Sequence, residues 1–424
     1  MTTARTARAT AATALALCAL VLPGPPALAQ DPDDPQEGSG SDSSADDRVA
    51  VESEGDPGGF TTGNDRLELT ISGQVNRGVL LYDDGEDTGV AHVDNDNSST
   101  RLRFVTESEA FSPLTLGAIL EVEFQSNPSN LVSQVDEENV GDDTFDERKF
   151  EVYAKSDTFG QLLIGQGSTA SDGTAEIDLS GTGVAGYSDV DDTGGGLRFA
   201  SGGTLTPVNV RSVYSNLDGL GRDDRLRYDA PTFAGFTPSV TFAADEAIDV
   251  ALRWSRDPDG GDWSAAAAIA YADTGKGDGD FEDESASDAD SIVSGSASVR
   301  LAGGANLTVA FGRGDAPERT LRFGYAKLGY RFERFALGET RLSIDYHASD
   351  DVVREDERAT SVGVQLVQHV TRFNASIFAV YRFYDLDAAV GAFADEDGTY
   401  ADGLGPTSEA ERIDAAMVGL RVPF

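Results

Sequence analysis

The chain has 424 residues, 32 of them basic and 74 acidic, for a formal net charge of −42. So negative a chain repels phosphate backbones and anionic surfaces, which excludes general nucleic-acid binding and membrane docking through a broad basic patch. With 39% hydrophobic residues it is too apolar to be disordered throughout, and its 47 glycines beside Tyr and Phe favour a turn-rich all-β protein.

Residues 1–29 read as a secretory signal. Arg5 and Arg8 precede an apolar run at 11–22, and Ala27-Leu28-Ala29 is a small-residue cleavage site before Gln30. The run is too short for a helix of ~20 residues across a bilayer. Cys18 is the single cysteine, and Leu17 before it argues against a lipid anchor. Cleavage therefore leaves no disulfide framework and no thiol metal site. Residues 30–60 are Asp, Glu, Ser, Gly and Pro with almost no large apolar side chain. Such a segment cannot offset its ordering entropy and is expected to be an acidic disordered linker. Residues 61–424 form the folded domain.

From residue 66 the pattern changes. Leu67, Leu69, Ile71, Val75 and Val79 alternate with Glu68, Thr70, Ser72, Gln74 and Asn76 over a strand spanning 66–82. The same period recurs at 98–109, 114–125, 147–156, 160–167, 222–231, 235–244, 248–256 and 262–273. It continues at 290–301, 304–313, 319–332, 338–349, 358–369, 371–385 and 411–424, giving sixteen strands. Many are about twice the usual strand length. Connections alternate between short (110–113, 157–159, 302–303, 370) and long (83–97, 126–146, 168–221, 274–289, 386–410). Those at 245–247 and 314–318 break the rule. Long strands with one apolar and one polar face, tight turns at one rim and long loops at the other predict a transmembrane antiparallel β-barrel. The strand at 319–332 is irregular, with Lys327 and Arg331 on the face of Leu321 and Phe323. A bulge, a strand end and a subunit contact all remain open for it.

Several stretches in order resemble the general porins of alphaproteobacterial outer membranes. They are LELTISGQVNRGVLLYDDG (67–85), VDNDNSSTRLRF (93–104), FGQLLIGQGSTASDGTAEIDLSGTGVAGYSDV (159–190), LDGLGRDDRLRYDAPTFAGF (217–236) and the terminal VGLRVPF (418–424). The resemblance covers roughly 66–424. It implies a sixteen-stranded homotrimer in the outer membrane that passes small hydrophilic solutes passively. It further implies that the third long loop folds into the lumen and that Phe424 acts as an assembly signal for the barrel assembly machinery.

A barrel of this width leaves an aqueous channel. The acids Asp172, Glu176 and Asp178, in the part of the third loop that best matches the family, are the candidate constriction. Strand parity selects the opposing wall. Leu102 and Phe104 face lipid, so Arg101 and Arg103 face the lumen; Phe150 and Val152 place Lys149 inward; Leu226 and Tyr228 place Arg225 and Arg227 inward. Arginines across a narrow gap from acids make a transverse field, and the acidic excess in the vestibules points to weak cation selectivity. A purely structural pairing of each Arg with a nearby acid is the plainer alternative.

Other chemistry is thin. The three histidines are far apart, and no nucleophile elbow or phosphate loop occurs, so no enzyme and no cofactor are expected. The acid clusters Asp94-Asn95-Asp96 and Asp395-Glu396-Asp397 are candidate structural calcium ligands. The competing function is a secreted, calcium-stabilised acidic β protein binding surfaces or polymers. It accounts for the acids and the signal but not for the terminal Phe or the alternating turn lengths.

Overall fold

A computed structural model describes residues 59–64, 66–111, 114–138, 145–256, 263–275, 289–388 and 409–424. The signal segment, the acidic segment up to residue 58 and the acid cluster at 395–397 lie outside the described residues.

The strands in chain order are β1 (Phe60–Asn64), β2 (Leu67–Asp83), β3 (Thr88–Asp94), β4 (Arg101–Phe111), β5 (Leu114–Phe124), β6 (Phe145–Ser156) and β7 (Gly160–Ser168). A short hairpin follows, β8 (Arg198–Ser201) and β9 (Thr204–Asn209). Then come β10 (Arg222–Asp229), β11 (Phe236–Ala243), β12 (Ile248–Arg256), β13 (Trp263–Asp273), β14 (Ser291–Leu301) and β15 (Ala305–Asp315). The last are β16 (Thr320–Phe335), β17 (Gly338–Asp350), β18 (Arg358–Val370), β19 (Ala375–Asp387) and β20 (Ile413–Pro423).

All but the β8–β9 hairpin form one antiparallel sheet that closes on itself, because β20 pairs with β2 from Gln74↔Pro423 to Asp83↔Asp414. Phe424 extends the seam by exchanging two backbone hydrogen bonds with Gly73, at 2.8 and 2.9 Å. Sixteen positions complete the ring. β1 adds to the seam below Phe424, against Leu67–Ile71 of β2. β3 occupies the upper half of the position that β4 fills lower down, since both pair with β2. Closure removes every open edge along the ring, which is what a hydrocarbon surround demands of a backbone.

All sixteen expected segments are strands of the ring. The segment 83–97, expected to be a loop, contains β3, because pairing with β2 resumes beyond the Asp84–Asp87 turn.

Burial runs opposite to that of a soluble protein. Ile269, Val309, Phe311, Leu328 and Ile344 are exposed on the outer face, whereas Ser294, Ser296, Thr308 and Gln365 are buried on the inner one. An apolar exterior saves the cost of exposing hydrocarbon to water only if lipid covers it. The inner face carries polar side chains because what covers it is a polypeptide loop whose backbone groups need partners.

That loop also accounts for the irregular strand β16. Leu321, Phe323, Tyr325 and Lys327 all point inward and are buried. Leu321, Phe323 and Tyr325 belong to one core cluster with Val184, Leu197, Phe199 and Leu217 of the loop. A register shift does occur, further on, between Phe332 and Phe335. The small residues of β13 are sorted by the same cover. Ala266 and Ala268 pack against Ile177, and Ala270 packs with Ala170 and Ala251.

Candidate functional site

Residues 169–221 leave β7, enter the lumen and return to β10. Almost every residue of the segment is buried or half-buried. The wall holds it through a succession of side chains. Thr241 and Asp249 accept from the amides of Ala170 and Ser171, each at 2.7 Å. On β14 the serines that alternate inward meet the loop in step. Ser296 accepts from the Ile177 amide and Ser298 from the Leu179 amide, both at 2.9 Å. Ser294 pairs with Thr174 at 3.1 Å. Further round, Arg331 donates to the Ser180 carbonyl at 2.9 Å, and Tyr384 donates to the carbonyls of Val190 and Thr193, both at 2.7 Å. Gly181 is required where the loop passes Arg331 and Arg341. Its φ is +70°, and a Cβ there would lie 2.5 Å from the Arg331 guanidinium.

Between this loop and the wall of β4, β5 and β6 lies a cavity of about 320 Å³. Its loop side carries Asp172, Glu176, Asp218, Asp189, Asp191 and Asp192. Its wall side carries Arg101, Glu123, Asp146 and Arg148, with Arg222 at the start of β10 and Asp96 from the insertion between β3 and β4. Arg211 returns one cation from the loop itself. Nine carboxylates thus face the cavity against four guanidinium groups.

The cavity acids are shaped by one another. The Asp218 carboxyl is raised well above its ordinary value, first by burial and then by the charges of Glu176 and Asp172, although the Gly173 and Ala175 amides donate to it. Asp192 is likewise raised well above its ordinary value by burial, then by Asp189 and Asp96. Asp96 is raised by burial, with Glu123 adding to the rise. These groups hold protons where isolated carboxyls would not.

Of the residues named from sequence, Asp172, Glu176 and Arg101 line the cavity. Asp178 does not line it. Its side chain turns to the wall, where Lys327 donates to it at 2.7 Å, Thr308 at 3.1 Å and the Ser180 amide at 2.7 Å. Arg103, Lys149, Arg225 and Arg227 are not cavity residues either. Arg103 lies 3.8 Å from Glu121 on the wall. Lys149 is buried beside the same carboxylate. Arg225 pairs with Glu151 and donates to the Ser168 carbonyl at 2.9 Å, and Arg227 donates to the Thr169 carbonyl at 2.9 Å. The last two brace the point where the loop leaves β7.

Sequence reasoning passed over Arg148. Parity puts it on the lipid face, next to inward Lys149. A β-bulge opposite Glu121 and Val122 inserts it as an extra residue, and it turns inward to Glu121, at 2.9 Å, and to Glu123. The adjacent Arg-Lys pair was the available sign, since a cation on a lipid-facing position costs energy. Asp96 of the candidate calcium cluster accepts from Gln125 at the cavity edge, and Asp94 accepts from the Thr100 amide at 2.9 Å. Among the described residues, no group of three or more His, Cys, Asp or Glu converges to hold a metal.

The Gram-negative porin family model matches residues 11–389. No curated protein matches the sequence. Among solved structures, an anion-selective porin from Comamonas acidovorans is similar with a TM-score of 0.54 at 17% identity, over 84% of this chain and all of that one. OmpT of Vibrio cholerae in its trimer form is similar at 0.50 and 14%, over 85% of this chain and 100% of that one. OprB of Pseudomonas putida is similar at 0.50 and 10%, over 85% and 94%. The closed sixteen-stranded barrel shares its fold with these solved porins, and the chain belongs to the Gram-negative porins, channel-forming proteins of the outer membrane.

Proposed function

We propose that the channel is a passive, weakly cation-selective diffusion pore for small hydrophilic solutes and ions, and that it performs no covalent chemistry. The observation that carries this is the imbalance around the cavity between the loop and the wall, nine carboxylates against four guanidinium groups. Fixed charge of one sign at close range raises the local concentration of counter-ions along the path. Three features keep the preference weak. Arg148 is held between Glu121 and Glu123, burial and neighbouring acids raise the Asp218 and Asp192 carboxyls well above their ordinary values, and salt screens charges beyond about 8–10 Å. The similar structure named anion-selective shares too little sequence to transfer its sign. A homotrimer is the proposed assembly, supported by the resemblance and by the trimer form of the similar OmpT. Outer-membrane lipid and the barrel assembly machinery are its proposed partners.

The test is reversal potential across a planar bilayer under a salt gradient, at two mean salt concentrations. Cation preference should fall as salt rises. The pair Asp172→Asn and Glu176→Gln should lower it, and Arg101→Gln should raise it. Anion preference in the unmodified channel would overturn the proposal.

A further inference from the structure

On the lipid-facing side of the barrel, the rim that carries the long loops is mostly acidic. Asp83 of β2, Asp224 of β10 and Asp273 of β13 adjoin outward-facing apolar residues there. One sector differs. Arg313 of β15 and Arg322 of β16 are direct cross-strand partners. Both side chains are 56% exposed on the outer face. Arg322 is in register with Asp350 of β17, which is in register with Arg358 of β18. The row sits at the top of an apolar surface made by Val309, Phe311, Leu328 and Tyr346.

Like charges directly opposite on adjacent strands repel and destabilise the pair. The acids nearby compensate unevenly. Asp315 is 2.6 Å from Arg313 and Asp350 is 3.0 Å from Arg358, but the carboxylate paired with Arg322, Asp351, is at 3.8 Å. Exposed pairs of this kind contribute little to stability, so the fold does not account for three arginines on this surface. An anion bridging Arg313 and Arg322 removes the repulsion and uses the planar fork of each guanidinium.

We propose that Arg313, Arg322 and Arg358 bind the phosphate of a lipid headgroup in the outer leaflet, with its acyl chains against Val309, Phe311 and Leu328. The occupant is a lipid because the site combines guanidinium groups with an apolar wall immediately below them, and because this face meets the bilayer. Asp315 competes with the phosphate for Arg313 and sets an upper limit on affinity. The site lies outside the barrel, so its occupancy is separate from conduction and does not depend on the selectivity of the pore.

The test uses the purified full-length protein in detergent micelles, titrated with diphosphoryl lipid A and with its phosphate-free counterpart. Bound lipid is read by native mass spectrometry, with inorganic phosphate as competitor. Arg313→Gln with Arg322→Gln should lower retention of the phosphorylated lipid about fivefold to tenfold, the range for losing charge-assisted hydrogen bonds at an exposed site. Asp315→Asn should raise retention. Arg256→Gln should leave it unchanged, since Arg256 stacks on Trp263 at the opposite rim. Single-channel conductance should be the same in all of them. Equal retention in the double variant and the unmodified protein would overturn the proposal. So would equal retention of the phosphate-free lipid, or displacement by millimolar inorganic phosphate, which would mark a free-anion site. If the double variant fails to fold, Asp315→Asn decides alone, and no gain in retention counts against the site. Loss of trimer in the double variant would mean that the face joins copies of the chain, and would also overturn it.

Discussion

Replacing Lys327 with Met tests whether the inward loop is held by the wall or by its own packing. The Lys327 ammonium is fully buried, donates to Asp178 at 2.7 Å and to the Gly186 carbonyl at 2.7 Å, and so ties two points of the loop to β16. Removing one partner of a buried ion pair costs about 3–5 kcal/mol because the other charge is left without compensation. Asp178 keeps the Ser180 amide, the Ser180 hydroxyl and Thr308, so the lower figure of about 3 kcal/mol applies. The lost bond to Gly186 adds about 1 kcal/mol. A total of about 4 kcal/mol shifts the detachment equilibrium of this part of the loop roughly a thousandfold, at 1.36 kcal/mol per factor of ten. Hydrogen exchange at the amides of Ile177, Leu179 and Ser180 reads that equilibrium directly. Single-channel recordings should show larger and noisier conductance as the loop leaves the wall. Lys327→Met combined with Asp178→Asn should recover much of the protection, since no buried charge remains unpaired. Exchange within about threefold of the unmodified protein in the single variant would refute the idea that this pair anchors the loop.

Deleting Phe424 should reduce folded barrel far more than total expression, because both of its backbone bonds to Gly73 close the seam; heat-modifiable gel mobility of membrane fractions measures it. Cation preference should rise with pH. Asp218 and Asp192 have raised values, so they are protonated where free carboxyls are charged and add negative charge as pH climbs through those values. The same shift fixes the sign for stability. The folded loop binds these protons more tightly than the unfolded chain, so its packing is favoured at low pH and weakens as pH rises. Reversal potentials at pH 5, 7 and 9 should show the trend, and Asp218→Asn should flatten it. Ser296→Ala with Ser298→Ala leaves the Ile177 and Leu179 amides without acceptors and should cost about 2–4 kcal/mol of loop anchoring, seen as faster exchange at those two amides.

The ring of strands was legible because lipid outside and water inside impose a period of two on every strand, and tight turns at one rim mark where each begins. Legibility failed where something other than lipid or water touches the wall. Under the loop, Leu321, Phe323 and Tyr325 are apolar and face inward, so β16 loses its alternation although it is a regular strand there. At Arg148 a single inserted residue inverts the face, and nothing in the residues around it fixes where the partner strand skips. β3 was hidden because it resumes a ladder with β2 that the turn at 84–87 interrupts.

The candidate site was legible by location and less so by role, and Asp178 shows why. Asp172, Glu176 and Asp178 are equivalent in sequence, three acids in one loop with two of them separated by a single residue. Their difference lies on a strand nearly 150 residues away. β16 supplies Lys327 to one of them, while the other two face a cavity whose arginines are fewer than its acids. The charge that acts on a passing ion is therefore the loop's charge minus whatever the wall neutralises behind it. Lys327 and Asp178 both count in the composition and neither counts in the channel. In the proposed pore that charge is set around one cavity, by Asp172, Glu176, Asp189, Asp191, Asp192 and Asp218 of the loop with Asp96, Glu123 and Asp146 beyond it, against four arginines.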